Sequence, residues 1–124
     1  MIYADPGIDL VDGGRSAAFT GDNCYDYKNH IIGDHYSIQG NILFGQRILD
    51  SMEYRFINTS GSLANRLMSA MQGAKIPGAD TRCLNEGISS LSAFIRVAKE
   101  NDNIDSLYLD INVNNITYII VTYI

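Results

Sequence analysis

HIIGDHYSIQGNILFG, residues 30–45, is apolar in short bursts that are broken by Gly33, Gly40 and Gly45. Its middle carries four uncharged polar side chains, Tyr36, Ser37, Gln39 and Asn41. A plain buried strand has no need of two amides so close to two glycines. Glycine permits positive φ and close backbone approach, and amide side chains donate and accept at once. The combination suits a strand edge that meets a ligand, or a tight turn held by side-chain hydrogen bonds.

The flanks supply the rest of the fold. On the N-terminal side, residues 7–11 are short and apolar, Asp12-Gly13-Gly14 marks a hairpin turn, and residues 16–20 follow as the partner strand. Residues 21–29, GDNCYDYKN, form a polar, turn-rich loop. Counted from Asp22, its sixth position is Tyr27 and its twelfth Gly33, where a calcium-binding EF-hand needs Gly and Glu. On the C-terminal side, Ile48, Leu49, Met52 and Phe56 fall on one face of a helix over residues 46–57. Hydroxyls at Thr59, Ser60 and Ser62 offer caps for a second helix over 63–72, and Gly73 offers its stop. Met52, Met68 and Met71 read as core filling. A long connection over 75–87 leads to a strand over 89–98, partly buried on both faces, then a charged turn and a half-buried strand over 107–113. This order predicts an α+β domain in which two helices cover one face of an antiparallel sheet.

At 124 residues and 46% hydrophobic, the chain is long enough for one domain with one core. A net charge of −5 with scattered Lys and Arg argues against a nucleic-acid groove. The apolar tail, residues 116–124, is too short for a membrane helix and reads as a strand. The start of the chain has no signal-peptide pattern, which leaves the cytoplasm as the default compartment. Cys24 and Cys83 form no C-x-x-C pair. They read as free thiols in a reducing compartment, and a disulfide would require an oxidising one. The sequons at Asn58 and Asn115 matter only in a secretory pathway.

The sequence lacks a G-x-S-x-G elbow, a phosphate loop and an H-E-x-x-H helix, and no metal or cofactor is expected. His30 and His35 are poorly spaced for a shared metal, but His30 is placed to orient or deprotonate a nucleophile brought from elsewhere. Asp80 and Arg82 lie two apart in the densest polar segment, either as an ion pair that fixes the loop or as a carboxylate clamp. Ser89, Ser90 and Ser92 are further hydroxyl donors.

Taken together, AAFTGDNC (17–24), KNH (28–30), YSIQGNIL (36–43) and PGADTRC followed by GISSLSAF (77–94) resemble an uncharacterised bacterial family, the domain of unknown function 1028. The family's ordered pattern is an AAFTG and Cys step, a step ending in His, a Q-G-N-x-L-x-G turn, a G-x-D-x-R loop and an S-x-x-A strand. The resemblance implies half of a four-layer αββα sandwich like that of the N-terminal nucleophile hydrolases. It also implies an amide hydrolase whose nucleophile lies outside this chain, because Met1 and Ile2 offer no attacking group. The chain is then the C-terminal part of a longer protein and inactive alone. A bare apolar sheet face predicts a homo-oligomer, or association with the other half.

In that site His30 is the candidate catalytic group. Gln39, Asn41, Asp80 and Arg82 are the candidate ligand-binding groups, the two amides as oxyanion donors and Arg82 as a clamp. These four are expected to meet in space. The alternative is a non-catalytic domain in which the same groups stabilise loops or hold a small anionic ligand.

Overall fold

The fold is given by a computed structural model, which describes residues 2–3 and 16–114. The strand and turn expected over 7–14 and the tail strand over 116–124 lie outside the described residues. The architecture is α+β. Strand β1 is Ile2–Tyr3, β2 Asn29–Gly33, β3 Tyr36–Gly40, β4 Ser92–Val97 and β5 Leu109–Asn114, with helices α1, Gln46–Asn58, and α2, Leu63–Gly73. The strands form two antiparallel sheets, ordered β1-β3-β2 and β4-β5, where a single sheet was expected.

The opening stretch folds as the β2–β3 hairpin and the run into α1. Gly33 pairs with Tyr36 across the turn at Asp34 and His35. Glycine makes room there for the Tyr36 ring: a Cβ would lie 2.1 Å from Tyr36 Cζ and would displace the ring. Side chains alternate across a strand. Ile31, Tyr36 and Ile38 therefore share one face, which packs on Ile48, Leu49 and Met52 of α1. Ile38, Ile48 and Leu49 are fully buried, each contributing about 1.5–3 kcal/mol of apolar burial.

Both helices lie where their apolar spacing predicts. Ser62 caps α2, its hydroxyl accepting from Asn65 N at 3.2 Å. At the other end, Gly73 lets α2 approach α1 closely: a Cβ there would sit 2.7 Å from the Ser51 carbonyl oxygen. Arg66 also bridges the helices, donating from Nε to Phe56 O at 3.1 Å with its guanidinium 4.2 Å from the Phe56 ring centre.

The second sheet differs from expectation in three respects. The fourth strand begins at Ser92 and not at 89, because the carbonyls of Ile88 and Ser89 accept instead from Gly78 N and Asp80 N, at 2.9 and 3.0 Å. Its burial is also one-sided. Ile95 and Val97 are buried, while Phe94 and Arg96 are exposed on the other face, Arg96 paired with Asp110 at 3.2 Å. Across from it, β5 alternates only in part: Leu109 and Val113 are half-buried, but Ile111 is exposed. Among the described residues no helix is long and apolar enough to cross a membrane, and no group of three His, Cys, Asp or Glu could hold a metal ion.

Candidate functional site

The hairpin has a second face, turned away from α1. His30 and Gln39 are directly opposite one another in the β2–β3 register, so both side chains project from this face. Ser37 shares it, buried at 4% exposure. Opposed residues of an antiparallel pair have Cβ atoms about 4.5–5.5 Å apart, so an imidazole and an amide stand side by side on this face.

Residues 16–20 run along this hairpin but form no strand, contrary to expectation. Their attachment is through side chains. Ser16 Oγ donates to the Gly33 carbonyl near the hairpin turn, and Thr20 Oγ1 lies 2.7 Å from His30 Nδ1 toward the other end of β2. The segment thus lies antiparallel to β2, held by two hydroxyls; the strand it was expected to pair with, over 7–11, lies outside the described residues. The Thr20 hydroxyl is thus a hydrogen-bond partner of His30, a contact with no local pattern to announce it.

Beyond β3, Asn41 is exposed and Ile42 adopts a φ of 59°. That left-handed conformation is costly for a β-branched residue, about 1–2 kcal/mol. Two flanking loops hold it there. Ile42 N donates to Tyr25 O at 3.1 Å, and Leu43 N to Tyr27 O at 3.0 Å. On the opposite side Thr81 N donates to Ile42 O at 2.9 Å, and Phe44 N to Ala79 O at 3.1 Å. The connection after α2 therefore packs alongside this stretch.

It does not bring the four expected groups into one network. Arg82 forks onto Asp80, Nη2 to Oδ2 at 2.6 Å and Nε to Oδ1 at 2.9 Å, and its side chain is otherwise 70% exposed. Among the described residues no hydrogen bond joins Arg82 to Gln39 or Asn41. The reason is local: Asp80 also accepts from Arg82 N at 3.0 Å, and this tight turn satisfies the fork within three residues. The bonded guanidinium holds the Asp80 carboxyl below its usual range. Next to it, burial, with Asp80 and Glu86 nearby, pushes the Cys83 thiol up, so Cys83 is a poor nucleophile. Cys24 and Cys83 are both free, the first exposed and the second buried.

The start of α1 carries a polar relay that the sequence did not announce. Gly45 provides no side-chain cap. Instead Tyr27 Oη and Asn29 Nδ2 both donate to Gln46 Oε1, at 2.6 and 2.8 Å, and Gln46 Nε2 donates to Asp50 at 2.8 Å. Asn29 Oδ1 accepts from His30 N at 2.9 Å, which ties the relay to the strand that holds the imidazole.

Residues 8–118 match the family model described as a family of unknown function (DUF1028). The fold is similar to that of protein SPO2555 from Silicibacter pomeroyi, a crystal structure assigned to the same family, with a TM-score of 0.60 and 22% sequence identity. That likeness covers 80% of this chain and 38% of SPO2555, so this chain spans about half the length of that protein. None of the curated proteins matches the sequence.

Proposed function

Since this chain belongs to the family of unknown function (DUF1028), we propose that its hairpin carries part of an amide-hydrolase site, built on the face turned away from α1. The single supporting observation is the register pairing of His30 with Gln39 on that face. His30 moves the proton, and the Gln39 amide donates to the oxyanion that forms when the carbonyl is attacked. In an αββα sandwich of the N-terminal nucleophile hydrolase kind, this is the face that meets the second sheet, where a substrate can be shielded from water. The reaction needs an amide substrate and water, with neither metal nor cofactor.

The test is turnover of a panel of N-acyl p-nitroanilides by the purified chain, and turnover would also overturn the expectation that the chain is inactive alone. His30→Gln is expected to lower the rate by about 10²–10⁴-fold, and Gln39→Ala by about 10²–10³-fold, with melting midpoints close to the parent's. A rate unchanged by His30→Gln, or no turnover of any member of the panel, removes the hydrolase reading.

One observation favours a second, non-catalytic use of the chain. Asp80 holds the Arg82 guanidinium through Nε and Nη2 while most of the side chain faces solvent, which leaves the Nη1 edge as a donor to a small carboxylate or phosphate. Calorimetric titration with phosphate and with succinate tests it. Binding that Arg82→Ala abolishes supports a ligand-binding domain, and heats identical in both proteins exclude it.

A further inference from the structure

We propose that Thr20 is the attacking hydroxyl of this chain, with His30 Nδ1 as its base. The inference rests on the hydrolase reading above and supplies the nucleophile that the sequence analysis placed outside the chain. Thr20 Oγ1 and His30 Nδ1 are 2.7 Å apart, within the range that joins an activated hydroxyl to its base. Both residues are half-buried, so the pair is reachable by substrate yet drier than bulk water.

Ser16 shows how the segment is held without an ionisable partner: its hydroxyl donates to a backbone carbonyl. Thr20 instead meets a group that can take its proton. With the imidazole proton on Nε2, Nδ1 is the acceptor and Oγ1 the donor. Gln39, opposite His30, stands beside the same pair.

The chemistry balances with water as the only co-reactant. Oγ1 attacks the carbonyl carbon of the amide as its proton passes to His30 Nδ1, and the carbonyl oxygen becomes the oxyanion. Collapse breaks the C–N bond, and the leaving nitrogen takes the proton from His30. This leaves an ester on Thr20. Water then attacks the ester carbon, its proton passes to His30, and the C–O bond to Thr20 breaks. Oγ1 recovers the proton, and the carboxylic acid leaves.

A β-lactone probe reads the nucleophile directly, because opening its ring leaves a stable acyl ester whose mass and position can be found. The probe is applied to the full chain carrying Cys24→Ser, which removes the exposed competing thiol. The expected result is one adduct mapped to Thr20. It is retained in Thr20→Ser, absent in Thr20→Val, and slowed at least 100-fold in His30→Gln, with melting midpoints showing each variant folded. An adduct elsewhere, no adduct, or equal labelling of Thr20 in His30→Gln overturns the proposal. The two ideas fail separately: p-nitroanilide turnover that survives Thr20→Val but not His30→Gln overturns Thr20 alone. His30-dependent labelling of Thr20 without any amide turnover overturns the hydrolase reading and leaves an activated threonine.

Discussion

Tyr36 Oη donates to Glu53 Oε1 at 2.7 Å, so the first residue of β3 is bonded to the middle of α1. The same ring lies 5.1 Å from the Phe56 ring, centre to centre, at an interplanar angle of 60°. Hairpin and helix are thus joined by a polar and an aromatic contact through one side chain. Tyr36→Phe keeps the ring and removes the hydroxyl, and is expected to lower unfolding free energy by about 1 kcal/mol. A urea midpoint unchanged from the parent would contradict a stabilising role for the bond.

That hydroxyl also has a pH signature. Desolvation, then the bond to Glu53, pushes the Tyr36 phenol from 10.0 up to about 12. The folded state therefore holds this proton more tightly than the unfolded chain does. The associated stability is complete below pH 10 and is lost as the pH rises toward 12. The measurement is the difference in urea midpoint between parent and Tyr36→Phe across that interval. The difference should shrink with rising pH, and a constant difference would count against the shift.

Asp80 gives the opposite slope. Its carboxyl is held below 3.8 by the Arg82 fork, so its contribution is complete above that value and disappears as the pH falls further. Asp80→Asn should flatten the acid limb of the stability curve and lower neutral stability by about 1 kcal/mol or less, since the Arg82 side of the pair is 70% exposed. An acid limb identical to the parent's would show that the pair does not form in solution.

At Gly73 the distances predict a steric cost. Ala there places a Cβ 2.7 Å from the Ser51 carbonyl oxygen, a backbone atom that cannot rotate away. Gly73→Ala should destabilise the fold by about 1–3 kcal/mol, the usual range for overpacking, although alanine is intrinsically the better helix former. A higher melting midpoint would mean that the two helices are further apart than described.

Ile42 is the reverse case. An asparagine accepts the left-handed conformation that isoleucine resists. Ile42→Asn should leave stability within about 1 kcal/mol of the parent, the relief of strain offsetting the lost apolar contact. The same exchange at Ile31, which packs on the core, should cost several times more. Equal losses at the two positions would remove the conformational argument.

The helices were legible because apolar residues recur at their spacing: Ile48, Leu49, Met52 and Phe56 are the buried residues of α1. The membership suggested by the ordered motifs also agrees with the match over residues 8–118. What could not be read was which groups meet across distance. Ser16 to Thr20 look like a strand, yet their hydroxyls and not their backbone attach them to the hairpin. The chain pattern gives no sign that Ile88 and Ser89 bond to the loop over 78–80 and so divide the strands between two sheets. Asp80 and Arg82 were seen as a pair, but their two-residue spacing lets them satisfy each other and leaves Gln39 and Asn41 outside their network.

The segment at Ile42 and Leu43, clasped between the loops at Tyr25–Tyr27 and Ala79–Thr81, also bears on how the chain assembles. Its clasp joins residues as far as 39 positions apart, Thr81 to Ile42. Closing that loop costs more entropy than closing the shorter ones to Tyr25 and Tyr27, so the Thr81 side of the clasp is expected to set late in folding, after the hairpin and the helix pair. Once set, its amides share one opening event. Ile42, Leu43, Phe44 and Thr81 should therefore exchange their amide hydrogens with deuterium at a common, slow rate, distinct from that of the exposed turn at Asp34 and His35.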